Sequence, residues 1–498
     1  MIARTEDVTR ANFTPVAAMN RRRPVLSAAA SVLVAALSVT ACGSDTASRD
    51  SGSPSSAVAQ DNTKLFREIY TELVNTDTSH STGSTTVAAN AVKKRLLDAG
   101  FADSDVQIFE PADRKGNLVL RFTGSGQRKP MLLMGHLDVV EAKREDGWST
   151  DPYKLTEQDG YYVARGTADD KAMVAALVSG LIQLKREGFR PNRDLVLALT
   201  ADEEAGDHNG AQWLMANKFD LVNAEYGLNE GGDSLLVDGK PALQSVQVAE
   251  KTYGIYTVEV KAKGGHSSVP TPENAIYTLS NALNRIVGLR FPASVSDATR
   301  DFFAQLASKR SGPEADDMRA VAAGNPGPEV LDRLSAVPEY NAQLRSTCVA
   351  TMLKAGEAEN ALPQTARATV NCRILPQDDP DDIDRRFRAA LGDVTGVNIA
   401  RELNPAGGIS PVTGDVMGAV TALTKEMFPT AAVSTMMSTG ATDSSYARSK
   451  GIPMYGISGL FMEQSDAERM HGVNERVPIS WLDTSREFIY RLIKQLSQ

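Results

Sequence analysis

Acids and imidazoles recur in this chain where apolar runs end. Leu195-Val196-Leu197-Ala198-Leu199 runs directly into Thr200-Ala201-Asp202-Glu203-Glu204. Met131-Leu132-Leu133-Met134 ends in Gly135-His136-Leu137-Asp138, and Tyr161 to Ala164 precedes Arg165-Gly166-Thr167-Ala168-Asp169-Asp170-Lys171. Tyr226-Gly227-Leu228 leads to Asn229-Glu230-Gly231-Gly232, and Met470-His471-Gly472-Val473-Asn474-Glu475 follows late in the chain. Taken singly, each has an ordinary alternative: a strand-end histidine for His136, a helix N-cap for Asp169, turn chemistry for Glu230, a solvated acidic turn for residues 202–204. Gathered at one edge, two imidazoles and several carboxylates would be costly to bury without a cation. Nitrogen and oxygen donors without thiolate suit zinc, with manganese or cobalt as substitutes. Five such ligands are too many for one catalytic zinc and suit a pair at roughly 3.5–4 Å sharing a bridging carboxylate.

The elements that must position them alternate. Short apolar runs read as buried strands, and residues 171–187 read as a helix because Met173, Ala176, Leu177, Gly180, Leu181 and Leu184 recur at spacings of three and four before Gly188. Strands alternating with helices predict an α/β fold with a wound, mainly parallel sheet, whose ligands gather beyond the carboxyl ends of the strands. Near residue 248 the pattern changes to half-exposed strands and helices. This predicts a smaller α+β unit over 248–403, inserted between catalytic segments 62–247 and 404–498, with added helices between 290 and 345. No internal repeat is present.

At 498 residues, 42% hydrophobic and 23% charged, the chain can bury a large core. Its net charge of −9 argues against a nucleic-acid partner. Residues 1–41 read as a signal segment, with basic Asn20-Arg21-Arg22-Arg23 before an apolar stretch too short to span a bilayer comfortably. Val39-Thr40-Ala41-Cys42-Gly43 resembles a bacterial lipobox, which implies lipid on Cys42, and translation is expected to start at Met19. Residues 42–61, rich in Ser, Ala, Gly and Asp, read as a flexible tether. The expected location is the bacterial cell envelope, anchored on its periplasmic or extracytoplasmic face.

His136-x-Asp138, Arg165-Gly166-x-x-Asp169-Asp170-Lys171, Asp202-Glu203-Glu204, Asn229-Glu230-Gly231 and His471-x-x-Asn474-Glu475 occur in order. This set resembles the di-zinc family of carboxypeptidase S, aminoacylase, glutamate carboxypeptidase, acetylornithine deacetylase and succinyl-diaminopimelate desuccinylase, from about residue 62 to the end. The resemblance implies His136, Asp169 and Glu230 around one zinc and Asp169, Glu204 and His471 around the other. It implies Asp138 orienting His136 and Glu203 as general base. Gly264-Gly265-His266-Ser267-Ser268 resembles the family's lid, so His266 would stabilise the developing oxyanion, in dimeric members from the partner subunit. Asn360 and Arg373 lie in segments resembling its substrate-binding strands, with Arg373 gripping a carboxylate. Ser438-Thr439-Gly440-Ala441-Thr442-Asp443 resembles its Gly-Thr-Asp loop, although Ala441 interrupts it and obscures the role of Gly440.

The implied activity is metal-dependent hydrolysis of an amide bond in small peptides or N-acyl amino acids bearing a free carboxylate, peptidase being preferred to deacylase. The implied partners are that substrate, a membrane through Cys42, and a second copy of the chain as a homodimer. A catalytically silent peptide- or metal-binding lipoprotein is the alternative of another class. Cys348 and Cys372 fall on strands that could pair, as a disulfide or as two core thiols.

Overall fold

The computed structural model describes residues 56–498 apart from 233 and 393. The signal segment, Met19, Cys42 and most of the tether lie outside the described residues. Residues 56–61, expected as tether, instead open the helix Ser56–Val74. Their composition carried no helical period, but they continue the turn of a segment whose later residues Phe66, Ile69, Tyr70 and Leu73 are buried. No helix among the described residues is long and apolar enough to cross a membrane.

The main sheet has ten strands and is mixed. Its middle is parallel: Met131–His136 lies between Leu195–Thr200 and Tyr226–Asn229, and Met454–Gly456 continues beyond the latter. Leu195 to Thr200 are all buried, as a strand covered on both faces requires. The flanks are antiparallel, with Val106–Phe109 and Asn117–Phe122 on one side and the hairpin of Ser234–Val237 with Lys240–Glu250 on the other. Ala432–Ser438 pairs in parallel with Lys240–Glu250. Ala432–Ser438 carries no clean alternation and its pairing is tertiary, whereas the hairpin is closed locally by Asp238-Gly239, both at positive φ.

Helix Lys171–Arg186 is buried from Lys171 to Leu184 and packs against the sheet, Ser56–Val74 and Ile479–Leu496. Its apolar residues cover more than one face because it has helices on its outer side too. Gly188, at φ +67°, ends it.

A second sheet, all antiparallel, runs in the order Thr347–Ala355, Thr365–Ile374, Thr252–Lys261, Val397–Leu403. Thr252–Lys261 alternates buried and half-buried residues, with Tyr256, Val258 and Val260 facing helices Ala275–Val287 and Pro380–Leu391. This sheet starts at Thr252, because Lys240–Glu250 stays in the main sheet. Four further helices, from Asp297–Ser308 to Pro338–Leu344, form their own small core. Asp301 of the first accepts the backbone N–H of Thr435 at 2.6 Å, so this helix caps an outer strand of the main sheet. Cys348 and Cys372, directly opposed in the second sheet, form a disulfide.

Candidate metal centre

Strand register delivers the ligands. His136 is the last residue of its strand and stands opposite Thr200, so the turn carrying Glu203 and Glu204 begins beside it. Glu230 follows the neighbouring strand Tyr226–Asn229. Gly231 and Gly232 let the chain turn there, at φ +100° and +77°, and a Cβ on Gly232 would stand 2.5 Å from the carbonyl oxygens of Ser245 and Gly456.

Asp169 sits between two imidazoles. Its Oδ1 is 2.9 Å from His136 Nε2, and its Oδ2 is 3.0 Å from His471 Nε2. Glu230 approaches the same His136 nitrogen at 3.3 Å, and Glu204 the same His471 nitrogen at 3.0 Å. Two three-residue clusters thus share one carboxylate, each oxygen facing its own cluster. Asp170 also has an oxygen within 4.8 Å of ligand atoms of His136 and Glu230. That carboxylate is turned to the chain, where its Oδ2 accepts the His136 backbone N–H at 3.3 Å. A Cβ on residue 135 would stand 2.8 Å from this oxygen, so Gly135 makes the approach possible.

The electrostatics are those of a site built for cations. Burial, the largest influence on His136, opposes its charging, yet Glu230, Asp138 and Asp169 hold its imidazole well above the ordinary range. Hydrogen bonds to Asp169 and Glu204 push His471 up to about 10. Burial pushes Glu230 up to about 7 and Glu203 well above the usual carboxylate range, with the charge of Glu230 adding to the latter. Protons on the imidazoles and acids balance the crowd where divalent cations would. His136 Nδ1 faces the backbone carbonyl of Asp138 at 3.0 Å, which places the proton there and leaves Nε2 as donor to a metal. The donor set of two imidazoles and three carboxylates therefore fits a pair of divalent ions.

The surrounding polar residues hold loops. The Asp138 carboxylate is 3.6 Å from His136 Nδ1, and it accepts the backbone N–H groups of Glu203 and Glu204 at 3.1 and 3.0 Å. It anchors the turn carrying base and ligand, while its own carbonyl orients the imidazole. The Glu203 carboxylate makes no hydrogen bond among the described residues, although it belongs to a group of potential ligand atoms with His136 and Glu204. On the other side, Glu475 accepts from Arg165 Nη1 at 2.7 Å and from the backbone N–H groups of Gly166 and Ala168 at 3.1 and 2.8 Å. Arg165 also donates to the carbonyl of His471 at 3.0 Å. One buried ion pair thereby joins the loop of Asp169 to the segment of His471. Asp443 accepts from Thr200 Oγ1 at 2.6 Å and Asn209 Nδ2 at 2.7 Å, tying its loop to the same strand end. Burial pushes this carboxyl up to about 6.

Sequence reading assigned no role to Asp170, Glu475 or Asp443. All three lie inside the quoted motifs, but Asp170 and Glu475 hold backbone N–H groups and Asp443 the side chains of Thr200 and Asn209, all from distant segments, and no spacing shows that. His80, also unassigned, faces Asp202 at 3.1 Å, and Lys115 pairs with the same carboxylate.

Four further expected site residues make their hydrogen bonds and ring contacts with other partners. His266 is exposed on the two-residue strand Gly265–His266, which pairs antiparallel with Ala361–Leu362; its Nδ1 is 2.7 Å from Ser268 Oγ, and the Asn360 carbonyl accepts from Ser267 N at 2.9 Å beside it. Arg373 is half-buried over the Tyr253 ring at 4.6 Å. The Gly440 N–H donates to Ser438 Oγ at 3.0 Å.

A mixed sheet flanked by helices, a second smaller sheet and a centre fit for two metal ions define a metal-dependent hydrolase of the zinc-exopeptidase type. Residues 132–495 match the model of Peptidase family M20/M25/M40, and the chain belongs to that family. It is 31% identical over 377 residues to a probable carboxypeptidase S-like 2 of Dictyostelium discoideum, covering 74% of this chain and 71% of that protein. It is 29% identical over 378 residues to a human N-fatty-acyl-amino acid synthase/hydrolase, covering 74% of each. The fold matches that of the M20 family metallo-carboxypeptidase Sso-CP2 of Sulfolobus solfataricus with a TM-score of 0.67 at 17% identity, over 87% of this chain and 99% of that one.

Proposed function

We propose that this protein hydrolyses an amide bond in small peptides or N-acyl amino acids that carry a free carboxylate, in the manner of a carboxypeptidase or dipeptidase. The observation that carries this reading is Asp169 facing two imidazoles with its two oxygens, beside a Glu203 carboxylate that makes no hydrogen bond among the described residues and groups with His136 and Glu204. His136, Asp169 and Glu230 would hold one zinc, and Asp169, Glu204 and His471 the other, with cobalt or manganese as substitutes. Bound there, the two ions supply Lewis acidity, which lowers the pKa of water and polarises a carbonyl. Glu203 takes the proton of the attacking water and delivers it to the leaving nitrogen. Burial suits it to that exchange by holding its affinity for a proton above that of an ordinary carboxylate. Arg373 grips the substrate carboxylate, and His266 donates to the developing oxyanion.

N-acyl amino acids are the second substrate reading, favoured by similarity to proteins named for N-fatty-acyl-amino acids. The proposed location is extracytoplasmic, with lipid on Cys42. The Cys348–Cys372 disulfide supports it, because such bonds persist in oxidising compartments, and the pairing leaves Cys42 as the third cysteine of the chain.

The test is amino acid release from a panel of dipeptides and N-acyl amino acids by chelator-treated protein before and after zinc is restored. Turnover that returns with zinc supports the reading. A zinc-loaded protein that releases nothing from either series overturns it in favour of a binding lipoprotein.

A further inference from the structure

The Glu203 carboxylate makes no hydrogen bond among the described residues, so its aim is set by the backbone that carries it. That backbone is fixed on both sides of residue 202. Asn117 Oδ1 accepts the Ala201 N–H at 2.9 Å, and the Ala201 carbonyl accepts the Gly210 N–H at 2.7 Å. Asp138 accepts the N–H groups of Glu203 and Glu204 at 3.1 and 3.0 Å. Between these anchors the Asp202 side chain is fully buried, and its backbone lies in the left-handed region at φ +63°. Few residues other than glycine sit there, and Asp is one that tolerates it. An acid on a solvated turn would face water, and a buried strut alone needs no left-handed backbone. Such a conformation persists only where the surroundings hold it in place.

Three segments meet at the Asp202 carboxylate. Lys115, itself buried, donates to Oδ1, and His80 Nδ1 lies 3.1 Å from that oxygen and 3.1 Å from Lys115 Nζ. Oδ2 accepts the His208 N–H at 2.7 Å, and the Asp202 carbonyl accepts the Gly206 N–H at 3.0 Å, so the turn closes back on the residue that starts it. Lys115 and Asn117 belong to one short segment, which therefore grips both Asp202 and Ala201. His80 belongs to the loop after helix Ser56–Val74. That loop is tied to the Asp169 segment, where Lys171 Nζ donates to the Thr76 carbonyl at 2.9 Å, and to the His136 segment, where Glu141 accepts the Ser81 N–H at 2.7 Å. Among the described residues, Asp202 joins none of the groups of potential ligand atoms that contain His136 or His471, so its charge serves the turn and not the metals.

We propose that Asp202, braced by Lys115 and His80, is the positioning residue of the base: it holds the left-handed turn from which the Glu203 carboxylate reaches the metal centre. This rests on the amide-hydrolase reading above. Asp202 touches no reacting atom and acts through Glu203, so its loss should slow the proton exchange at the attacking water while leaving substrate and zinc binding in place.

The experiment compares Asp202→Ala, which removes every side-chain contact and strains the turn at φ +63°, with Asp202→Asn, which keeps the shape and a side chain that tolerates that conformation. On the zinc-loaded full chain, leucine release from alanyl-leucine and N-acetyl-leucine is followed well below each variant's unfolding temperature. Zinc affinity is read by chelator competition, and amide exchange over residues 201–210 by mass spectrometry. Expected for Asp202→Ala is a fall in kcat of about 10²-fold, the loss that goes with a misplacement of about 1 Å, with KM and zinc affinity within about twofold of the parent. Exchange at Gly206 and His208 should quicken, and Asp202→Asn should recover part of both losses. A kcat equal to the parent's, or one that falls only in step with zinc affinity, makes Asp202 a strut of the fold and overturns the proposal. Unchanged exchange overturns it as well. If Asp202→Ala does not fold, Asp202→Asn and Lys115→Met carry the same comparison, each with a smaller fall in kcat at unchanged zinc affinity. A parent that releases leucine from neither substrate overturns the amide-hydrolase reading, and exchange that still quickens in the variant leaves the hold of Asp202 on the turn standing.

Discussion

Glu475→Gln tests how the metal centre is held in place. The Glu475 carboxylate is 1% exposed, pairs with Arg165 at 2.7 Å, and accepts the N–H groups of Gly166 and Ala168 in the loop that leads to Asp169. A glutamine of the same shape keeps one acceptor oxygen and must turn its NH2 group toward either Arg165 and Gly166 or Ala168. Breaking a buried ion pair from one side costs about 3–5 kcal/mol, because the other charge stays buried. An unsatisfied backbone N–H costs about 1–3 kcal/mol, but it belongs to the same contacts and is not added. Since Arg165 also fixes the carbonyl of His471, two ligands loosen together, and zinc affinity should fall about 10- to 100-fold. The assays are zinc competition against a chromophoric chelator and thermal unfolding with and without saturating zinc. At fixed free zinc, the weaker affinity should shrink the zinc-induced stabilisation by about 1.4–2.7 kcal/mol. A variant that is less stable but binds zinc as the parent does would show that Glu475 only braces the fold. One unchanged in both measurements would refute the argument altogether.

Three further outcomes are expected. Burial, with Arg373 nearby, pushes Lys251 down to about 7, while in the unfolded chain its pKa returns to about 10.4. Between those values the unfolded chain binds more protons, so stability from this group rises with pH across that window; Lys251→Met should remove this slope from denaturant unfolding measured between pH 7 and 10. The disulfide closes a loop of sequence separation 24, so replacing both Cys348 and Cys372 by Ala should cost about 3 kcal/mol, read from the same unfolding curves. His266→Ala should lower kcat about 10²- to 10³-fold with KM little changed if its imidazole reaches the oxyanion, and equal kcat values would remove it from the mechanism.

The chain by itself determined the alternation of strands and helices, the strand ends carrying acid and imidazole, and the choice of nitrogen and oxygen donors. These are local properties: apolar runs of strand length, a helical repeat from Met173 to Leu184, and short motifs that keep their order. Convergence depended on more than any one motif, but the parallel pairing of Met131–His136 with Leu195–Thr200 follows from burial on both faces and puts His136 beside the Glu203 turn. Other features were decided only in three dimensions. Asp138 anchors backbone at 203 and 204, and Glu475 anchors backbone at 166 and 168, because a buried N–H must find an acceptor wherever the fold supplies one. The strand Ala432–Ser438 is completed by a helix from the inserted region, and residues 56–61 are helical because Phe66, Ile69, Tyr70 and Leu73 pack the rest of their helix into the core. A cavity beside Asp169 and Glu230 joins Met173, Met436, Met462 and Met470, which share no period; only the closing of the sheet against its helices brings their side chains together and leaves a space between them.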